Sequence, residues 1–371
     1  MLKSFCVSGY RSIRDKISID LKTKKYQKIK NTRYECSYFD NSLSKIAVFF
    51  GKNATGKTNI IEALMDLCGI IKKGTDFKEV AKNLNYKSDE ISFMIELCSD
   101  KDSYIYEIVF NEEKILKESF KENNTTIYCF EKDKLDYKNN ELADVKPTST
   151  TFLEILKNTS EKRILNFLKL IYEFYYPQYA DLITNVPRQD NFLRNFSKFD
   201  KNTFENNKDI VLEVLSFVDD SISGFEFKDN GNEKFTLTLK RCEELDEKSD
   251  EVDFAFENES KGVIKIIILL SGIINAYKNG GVCIFDELDS SISVSSLIYF
   301  INGFINVDEN KAQFIFTSHN VLIFDRNILH PNQIFIIKKE DLGTKVSCLN
   351  DFELRNDKKK AYLNYLRGDY E

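Results

Sequence analysis

The sequence has no tryptophan, only two histidines, and no two cysteines in a C-x-x-C spacing. The eight cysteines are scattered, so the ligand spacing of a structural zinc site is missing. The first residues, Met1-Leu2-Lys3-Ser4-Phe5, do not form the apolar stretch of a secretory signal peptide. The longest apolar run, Val263–Ile274, is interrupted by Lys265 and Ser271 and is too short to cross a bilayer. These absences predict a cytoplasmic chain, reduced at its thiols and without a membrane partner.

An excess of positive charge is also missing, since 53 Lys and Arg residues stand against 59 Asp and Glu residues and the formal net charge is −6. This argues against a broad nucleic-acid-binding surface, although a local basic patch is compatible with it. Sustained heptads are absent, which excludes a long coiled-coil arm. What the chain does have is 30 phenylalanines and 18 tyrosines among 371 residues, enough apolar surface for a large core in one or two domains.

A stretch of the form G-x-x-x-x-G-K-T follows the apolar run Ile46–Phe50 and precedes a helical segment. Its residues are Gly51, Lys52, Asn53, Ala54, Thr55, Gly56, Lys57 and Thr58, followed by Asn59. Strand, glycine-rich loop and helix form the context of a phosphate-binding loop, known as Walker A. We expect the backbone N–H groups to cradle the phosphates of ATP, with Lys57 reaching the β- and γ-phosphates. The Thr58 hydroxyl would ligate Mg²⁺.

Carboxylates and a histidine follow two later strands. Asp286 and Glu287 end the apolar strand Val282–Phe285 in the Walker B form, and His319 follows the strand Phe314–Thr317. Phosphoryl transfer needs a carboxylate for Mg²⁺, a base for the attacking water and a sensor of the γ-phosphate. We assign these roles to Asp286, Glu287 and His319 respectively. Three glutamines compete for a further water-positioning role, and none has decisive context: Gln178, Gln189 and Gln313.

Strands that alternate with helices around this loop predict an α/β fold of the P-loop NTPase class. We divide the chain into an N-terminal lobe with Walker A (1–149), a helical insertion (150–221) and a C-terminal lobe (222–371). Within the last lobe, the acidic stretch Glu243–Asp253 is predicted to be a solvated loop, and 357–366 a basic helix.

The order of these motifs resembles that of ABC-type ATPase heads. Ser260 and Gly262 match a reduced Ser-x-Gly signature at the start of a buried helix, and Asp289 matches the D-loop. The N-terminal pattern Phe5-x-Val7-x-Gly9-Tyr10-Arg11-Ser12 and the loop form G-x-N-x-x-G-K-T-N are similar to the SMC/RecF/OLD branch. The resemblance extends to short AAA-type ATPases of bacterial phage-defence operons, the AbiL-like and PARIS ATPases. These share the ending Tyr365-Leu366-x-Gly368-x-Tyr370.

The resemblance implies an ABC-like head with an antiparallel β subdomain, working with ATP and Mg²⁺. Two heads of a homodimer or higher oligomer would sandwich ATP, with Ser260, Gly262 and Asp289 completing the nucleotide site. The implied function is a regulatory ATPase of abortive infection that controls an effector, such as a Toprim nuclease or a toxin. Three features depart from the pattern: Ala54 replaces a glycine and requires a negative φ, Ser260-Lys261-Gly262 is a reduced signature, and Ser293 replaces a histidine.

Two alternatives remain open at this point. A RecF-like DNA-repair ATPase would bind or clamp duplex DNA through a basic face, for which Lys338, Lys339, Lys358–Lys360 and Arg367 are candidates. The ATPase subunit of a membrane transporter is disfavoured, because its signature would be longer and the N-terminal Gly-Tyr-Arg-Ser pattern points elsewhere.

Overall fold

Three sheets and eight α-helices make up the part of the chain that the computed structural model describes, which comprises residues 1–23, 32–40, 43–137, 150–159, 161–177, 195–242, 251–290, 292–325, 327–352 and 365–367. The strands are β1 Leu2–Ser8, β2 Ile17–Asp20, β3 Ile46–Phe50, β4 Ile91–Cys98, β5 Ser103–Phe110, β6 Ile115–Glu122, β7 Thr125–Glu131, β8 Lys134–Tyr137, β9 Phe174–Tyr175, β10 Phe196–Ser197, β11 Ile222–Asp229, β12 Lys234–Cys242, β13 Glu251–Ala255, β14 Gly281–Phe285, β15 Ala312–Ser318, β16 Ile334–Glu340 and β17 Gly343–Cys348. The helices are α1 Lys57–Lys72, α2 Phe77–Ala81, α3 Phe152–Lys157, α4 Lys162–Tyr172, α5 Lys198–Glu205, α6 Lys208–Ser216, α7 Lys261–Asn279 and α8 Val294–Tyr299. The last continues as a π-helical turn, Phe300–Ile305.

The central sheet has the order β17-β16-β3-β15-β14-β9, and all its neighbours are parallel except β16 and β17. The inner strands β3 and β14 are apolar on both faces, as a parallel sheet covered by helices requires. On β3, Ala47 and Phe49 pack into a core with α1, while Ile46, Val48 and Phe50 pack into a second core with α7. The phosphate-loop helix and the signature helix therefore lie on opposite faces of one sheet.

A seven-stranded antiparallel sheet, in the order β2-β1-β4-β5-β6-β7-β8, packs over the α1 side and shares its core. Its strands β4 to β8 follow α1 as consecutive antiparallel neighbours. On the α7 side lies a smaller antiparallel sheet, in which β12 pairs with β10, β11 and β13. The prediction of an α/β head with an antiparallel subdomain is confirmed.

The segment 150–221 divides its packing between the two cores. Helices α3 and α4 bury Phe152, Phe167 and other apolar residues in the α1-side core, and β9 extends the central sheet beside β14. Helices α5 and α6 bury residues such as Phe204 and Val211 in the α7-side core. The boundaries at 150 and 221 stay a prediction, but the segment contributes to both cores.

Two local expectations change. The acidic stretch Glu243–Asp253 is not all loop, because Glu251–Ala255 forms β13, whose backbone pairs with β12 from Thr238 to Cys242. Residues 243–250, and most of the predicted basic helix 357–366, lie outside the described residues. Helix α7 is longer than the apolar run that predicted it. By length and composition it could cross a membrane, yet 67% of its apolar window is buried inside this fold, as expected for a core helix.

Candidate functional site at the carboxyl edge of the central sheet

The phosphate loop begins where β3 ends, at the carboxyl edge of the parallel strands, where α/β folds place their ligands. The tight turn depends on two glycines. Gly56 has φ +104, and a Cβ on it would lie 2.1 Å from Thr344 Oγ1. A Cβ on Gly51 would lie 2.4 Å from the carbonyl oxygen of Ile337. Neither position has room for a side chain, so the hairpin β16–β17 fixes the loop from outside.

Ala54 corrects one expectation. Its φ is +62, in the left-handed region, and not negative as expected from the sequence. A residue with a Cβ costs roughly 1–2 kcal/mol in that region. The loop adopts this geometry despite the missing glycine, because Thr55 Oγ1 donates to the Lys52 carbonyl at 2.9 Å and closes the turn.

Lys57 bends back over the loop. Its Nζ donates to the carbonyl oxygens of Gly51 (2.8 Å) and Lys52 (3.0 Å). Burial lowers the pKa of Lys57, while the acidic residues that follow β14 act in the opposite direction. The ammonium group is thus held at the inner side of the loop, next to the carboxylates of the neighbouring strand end.

The N-terminus of α1 offers its backbone to an anion. Its N-cap is Gly56, no side chain among the described residues accepts from the first turn, and no acidic residue stands there. The first N–H groups of a helix carry the positive end of its dipole and need an acceptor. Together with the Lys57 ammonium, they form a site that fits a phosphate group.

A chain of short hydrogen bonds connects the phosphate loop with the ends of β14 and β15. Thr58 Oγ1 donates to Asp286 Oδ2 at 2.8 Å. Thr317 Oγ1 donates to Asp286 Oδ1 at 2.5 Å and accepts from the Glu287 backbone N–H at 2.6 Å. Parallel pairing of β15 with both β3 and β14 brings these ends together. The predicted pair Thr58 and Asp286 is therefore in direct contact.

Glu287 and His319 face each other across the same edge. His319 Nε2 lies 3.9 Å from Glu287 Oε1, and both side chains are substantially exposed. Glu287 has φ +51, a left-handed conformation unusual for a residue with a long side chain. Such strain persists only where the surroundings hold it in place.

Asp289 has a role inside its own chain. Its Oδ2 accepts from Ser318 Oγ (2.9 Å) and from the backbone N–H groups of His319 (2.9 Å) and Asn320 (3.0 Å). The carboxylate thereby ties the turn after β14 to the segment after β15.

Ser260 and Gly262 lie at the start of α7. Ser260 is exposed and caps the helix, since its Oγ accepts from the Val263 N–H at 3.3 Å. Gly262 is buried within its own chain. Among the described residues, the hydrogen bonds of Ser260 stay within its own helix and do not reach the phosphate loop.

The N-terminal Gly-Tyr-Arg-Ser turn is linked by hydrogen bonds to the phosphate loop and to the start of α1. Ser12 Oγ lies 2.7 Å from Thr344 Oγ1, which donates to the Thr55 carbonyl at 2.8 Å. Asn59 Nδ2 donates to Ser12 Oγ at 2.6 Å, so this predicted nucleotide-binding residue contacts the turn. Arg11, next to Ser12, pairs with Glu62 on α1.

Sequence reasoning missed two buried residues of this edge. Thr317 looks like an ordinary strand residue, and Lys265 looked like an interruption in an apolar run. Lys265 Nζ donates to the carbonyl oxygens of Glu287 (2.5 Å) and Ser290 (3.0 Å). The available signal was a lysine at a core position of a helix, since such a cation requires partners.

Gln313 is excluded as a water-positioning residue, because it is fully buried and bonded to the backbone of Leu2. Gln178 and Gln189 lie outside the described residues.

The residues of this edge fit Mg²⁺ chemically. The hydroxyl of Thr58 and the carboxylate of Asp286 are hard oxygen donors, adjacent at the open rim of the phosphate loop. The rest of the described chain has no cluster of three or more His, Cys, Asp or Glu residues suited to a metal ion.

Comparison with known structures supports the fold. The chain is similar to an SMC head bound to the C-terminal winged-helix domain of ScpA, with 14% identity, 93% of this chain and 96% of the other covered, and a TM-score of 0.53. It is also similar to an SMC head with an extended coiled coil from Pyrococcus furiosus, bound to the C-terminal domain of ScpA (12% identity, 100% and 99% covered, TM-score 0.51). A third similar structure is an SMC head with a coiled coil and joint from Pyrococcus yayanosii (10% identity, 100% and 99% covered, TM-score 0.50). At these identities the likeness establishes the fold alone. No curated protein matches the sequence.

A family model covers most of the chain. The family described as "AAA domain, putative AbiEii toxin, Type IV TA system" matches residues 46–325, about three quarters of the 371 residues. The match begins at the strand before the phosphate loop and ends beyond His319, so it includes every strand end of the site. The predicted resemblance is confirmed: this chain belongs to the AbiEii-type AAA family and has the fold of an SMC-like ATPase head.

Proposed function

We propose that this chain binds and hydrolyses ATP as the regulatory ATPase of a bacterial anti-phage system of the abortive-infection type. One observation carries the ATPase part of the proposal: the hydrogen bonds from Thr58 through Asp286 to Thr317 and the Glu287 backbone. They connect the phosphate loop, the candidate metal carboxylate and the candidate base in one continuous edge. AAA family membership and the head fold support the same activity.

Each residue has a proposed task. The α1 N-terminus and Lys57 bind the β- and γ-phosphates. The phosphate oxygens would then accept from Lys57 instead of the loop carbonyl oxygens of Gly51 and Lys52. Mg²⁺ held by Thr58 and Asp286 would neutralise charge on the phosphate oxygens. Glu287 orients and deprotonates the attacking water, and His319 contacts the γ-phosphate. The nucleotide would also be surrounded by four further residues of this segment: Lys52, Asn53, Ala54 and Asn59.

Nucleotide binding is tested with Lys57→Ala and the matched control Lys73→Ala. Lys73 is exposed at the C-terminal end of the same 16-residue helix, the end away from the phosphate loop. We expect Lys57→Ala to weaken ATP binding at least 100-fold in calorimetric titration, because a charge-assisted phosphate contact is lost. Lys73→Ala should bind like wild type. Equal affinity of Lys57→Ala and wild type would rule out this loop as the ATP site.

We further propose that two copies sandwich ATP, with Ser260 of one copy facing the γ-phosphate bound to the other. Ser260 is suited to this role because it is exposed at the N-terminus of a 19-residue helix. Gly262 is buried behind it, so it would act by allowing close approach of the backbone. Asp289 would fix the turn beside the interface.

The dimer is tested by Ser260→Asp. Aspartate is as good an N-cap as serine, so the helix should stay stable, but its negative charge would repel the γ-phosphate across the interface. We expect normal ATP binding and no turnover. An equimolar mixture with Lys57→Ala should recover roughly one quarter of the wild-type rate, since about half of the dimers are mixed and each has one intact site. Normal turnover by Ser260→Asp would argue for a stand-alone P-loop ATPase.

The regulatory role concerns a partner. The family description names a type IV toxin–antitoxin system, and two of the similar SMC heads are bound to ScpA, so related folds bind other proteins at the head. We propose that ATP-dependent dimerisation senses a phage trigger and controls an effector, such as a Toprim nuclease or a toxin. The test is phage plating on cells that carry this chain with its neighbouring gene. Lys57→Ala should abolish protection, and full protection by that variant would refute the role of ATP.

A second candidate is a RecF- or SMC-like DNA-repair ATPase that binds or clamps duplex DNA. The head fold favours it, while the net charge of −6 does not. Of its basic candidates, Lys339 and Arg367 are exposed, and Lys358–Lys360 lie outside the described residues. ATP turnover measured with and without duplex DNA separates the two functions. Strong stimulation that disappears at high salt would favour the repair function.

A further inference from the structure

A buried lysine lies directly behind the candidate base. Lys265 is on the second turn of α7 and is 1% exposed. Its Nζ donates to the carbonyl oxygens of Glu287 (2.5 Å) and Ser290 (3.0 Å) and to Ser290 Oγ (2.7 Å). Taking an ammonium group out of water is costly unless such partners compensate for the lost hydration. All three of these acceptors belong to the turn that follows β14.

This turn has a strained backbone that is held from two sides. Glu287 has φ +51, and its N–H donates to Thr317 Oγ1 at 2.6 Å. The carbonyl oxygen of Glu287 accepts from Lys265 Nζ and from the Ser290 N–H, the latter at 3.0 Å. Because both peptide groups of Glu287 are held, the direction of its side chain is set by the backbone.

We propose that Lys265 is a positioning residue, which sets the backbone of the turn Asp286–Ser290 from helix α7 and thereby places the Glu287 carboxylate. The inference rests on the proposed function, because it assumes that Glu287 is the base. Lys265 itself would not touch the nucleotide. It acts through the carbonyl oxygens of the turn.

The same lysine connects the base with the proposed interface. Ser260 and Lys265 are five residues apart on α7, about 7.5 Å along its axis at 1.5 Å per residue. Helix α7 therefore joins the proposed interface to the turn that carries Glu287.

The first test is kinetic. Lys265→Met keeps the length and apolar stem of the side chain but removes the donor, and Lys278→Met is the control on the exposed last turn of the same helix. We expect kcat of Lys265→Met to fall on the order of 100-fold, as for a misplaced catalytic group, while KM changes less than about threefold. Lys265→Arg, which keeps a donor, should recover part of the rate. Wild-type kcat in Lys265→Met would overturn the proposal.

The second test does not depend on activity. Amide hydrogen exchange of the segment 286–290 should become roughly tenfold faster in Lys265→Met, with β14 unchanged. Exchange as slow as in wild type would show that the lysine does not hold the turn. If Lys265→Met fails to fold, Ser290→Ala replaces it, because it removes one of the three acceptors. We then expect a three- to tenfold loss in kcat at unchanged KM, and no loss would equally overturn the proposal.

Glu287→Gln in the same assay separates failure of the base assignment from failure of the positioning role of Lys265. If Glu287→Gln turns over ATP like wild type, the base assignment fails and the inference fails with it. If Glu287→Gln is inactive while Lys265→Met matches wild type, only the role of Lys265 is refuted.

Discussion

Replacing Thr317 by valine removes the hydroxyl that joins the candidate metal carboxylate to the candidate base, at almost constant shape. Thr317 is fully buried, donates to Asp286 Oδ1 at 2.5 Å and accepts from the Glu287 N–H at 2.6 Å. Loss of a hydrogen bond to a charged group costs about 1.5–3 kcal/mol, and an unpaired buried N–H costs about 1–3 kcal/mol. Asp286 and Glu287 are partly exposed and water can replace some of these bonds, so we expect a net loss of about 2–4 kcal/mol.

Thermal unfolding measures this loss. For a chain of 371 residues, a change of this size should lower Tm by roughly 3–5 °C in Thr317→Val. Thr317→Ser is the matched control, because it keeps the hydroxyl and loses only a methyl group, at about 1 kcal/mol. In the ATPase assay, Thr317→Val should lower kcat more than it changes KM, and Thr317→Ser should stay close to wild type. If valine and serine variants have equal Tm and equal kcat, the hydroxyl does not organise the site.

Two further predictions concern stability. Ala54→Gly should raise stability by about 0.5–1 kcal/mol, since it relieves the strain at φ +62, and an unchanged or lower Tm would contradict the assigned conformation. Glu118→Gln should lower stability by about 2–4 kcal/mol, because an amide NH₂ would face hydrogen-bond donors there. The buried carboxylate accepts from two hydroxyls and two backbone N–H groups, those of Tyr106, Tyr128, Phe152 and Leu153. An unchanged Tm of Glu118→Gln would show that these four contacts do not anchor α3.

The parts of the site that repeat a local pattern can be predicted from the sequence. Strand, glycine loop and helix occur together at residues 46–72, and their order alone indicates phosphate binding. Asp286 and His319 are predicted from their positions after apolar strands, the first in the Walker B form. The parallel register of β3, β15 and β14 then brought these ends together.

Other features depend on contacts between distant segments, which no local pattern encodes. Thr317 acquires its role only because β15 lies between β3 and β14. Lys265 acquires its partners from a turn more than 20 residues away. The acidic charge of Glu243–Asp253 predicts a solvated loop, yet its last residues begin β13, and pairing with β12 satisfies their backbone whatever the side chains are. Ala54 adopts a positive φ because the surrounding loop requires it, against its own preference.

The central claim is that Glu287 activates water for ATP hydrolysis at this phosphate loop, and steady-state phosphate release by wild type and Glu287→Gln tests it most directly. The two side chains have the same shape, so ATP binding should be the same within about threefold, while kcat should fall at least 100-fold because the amide cannot accept the proton. Equal phosphate release by the two proteins, at equal ATP affinity, would contradict the claim.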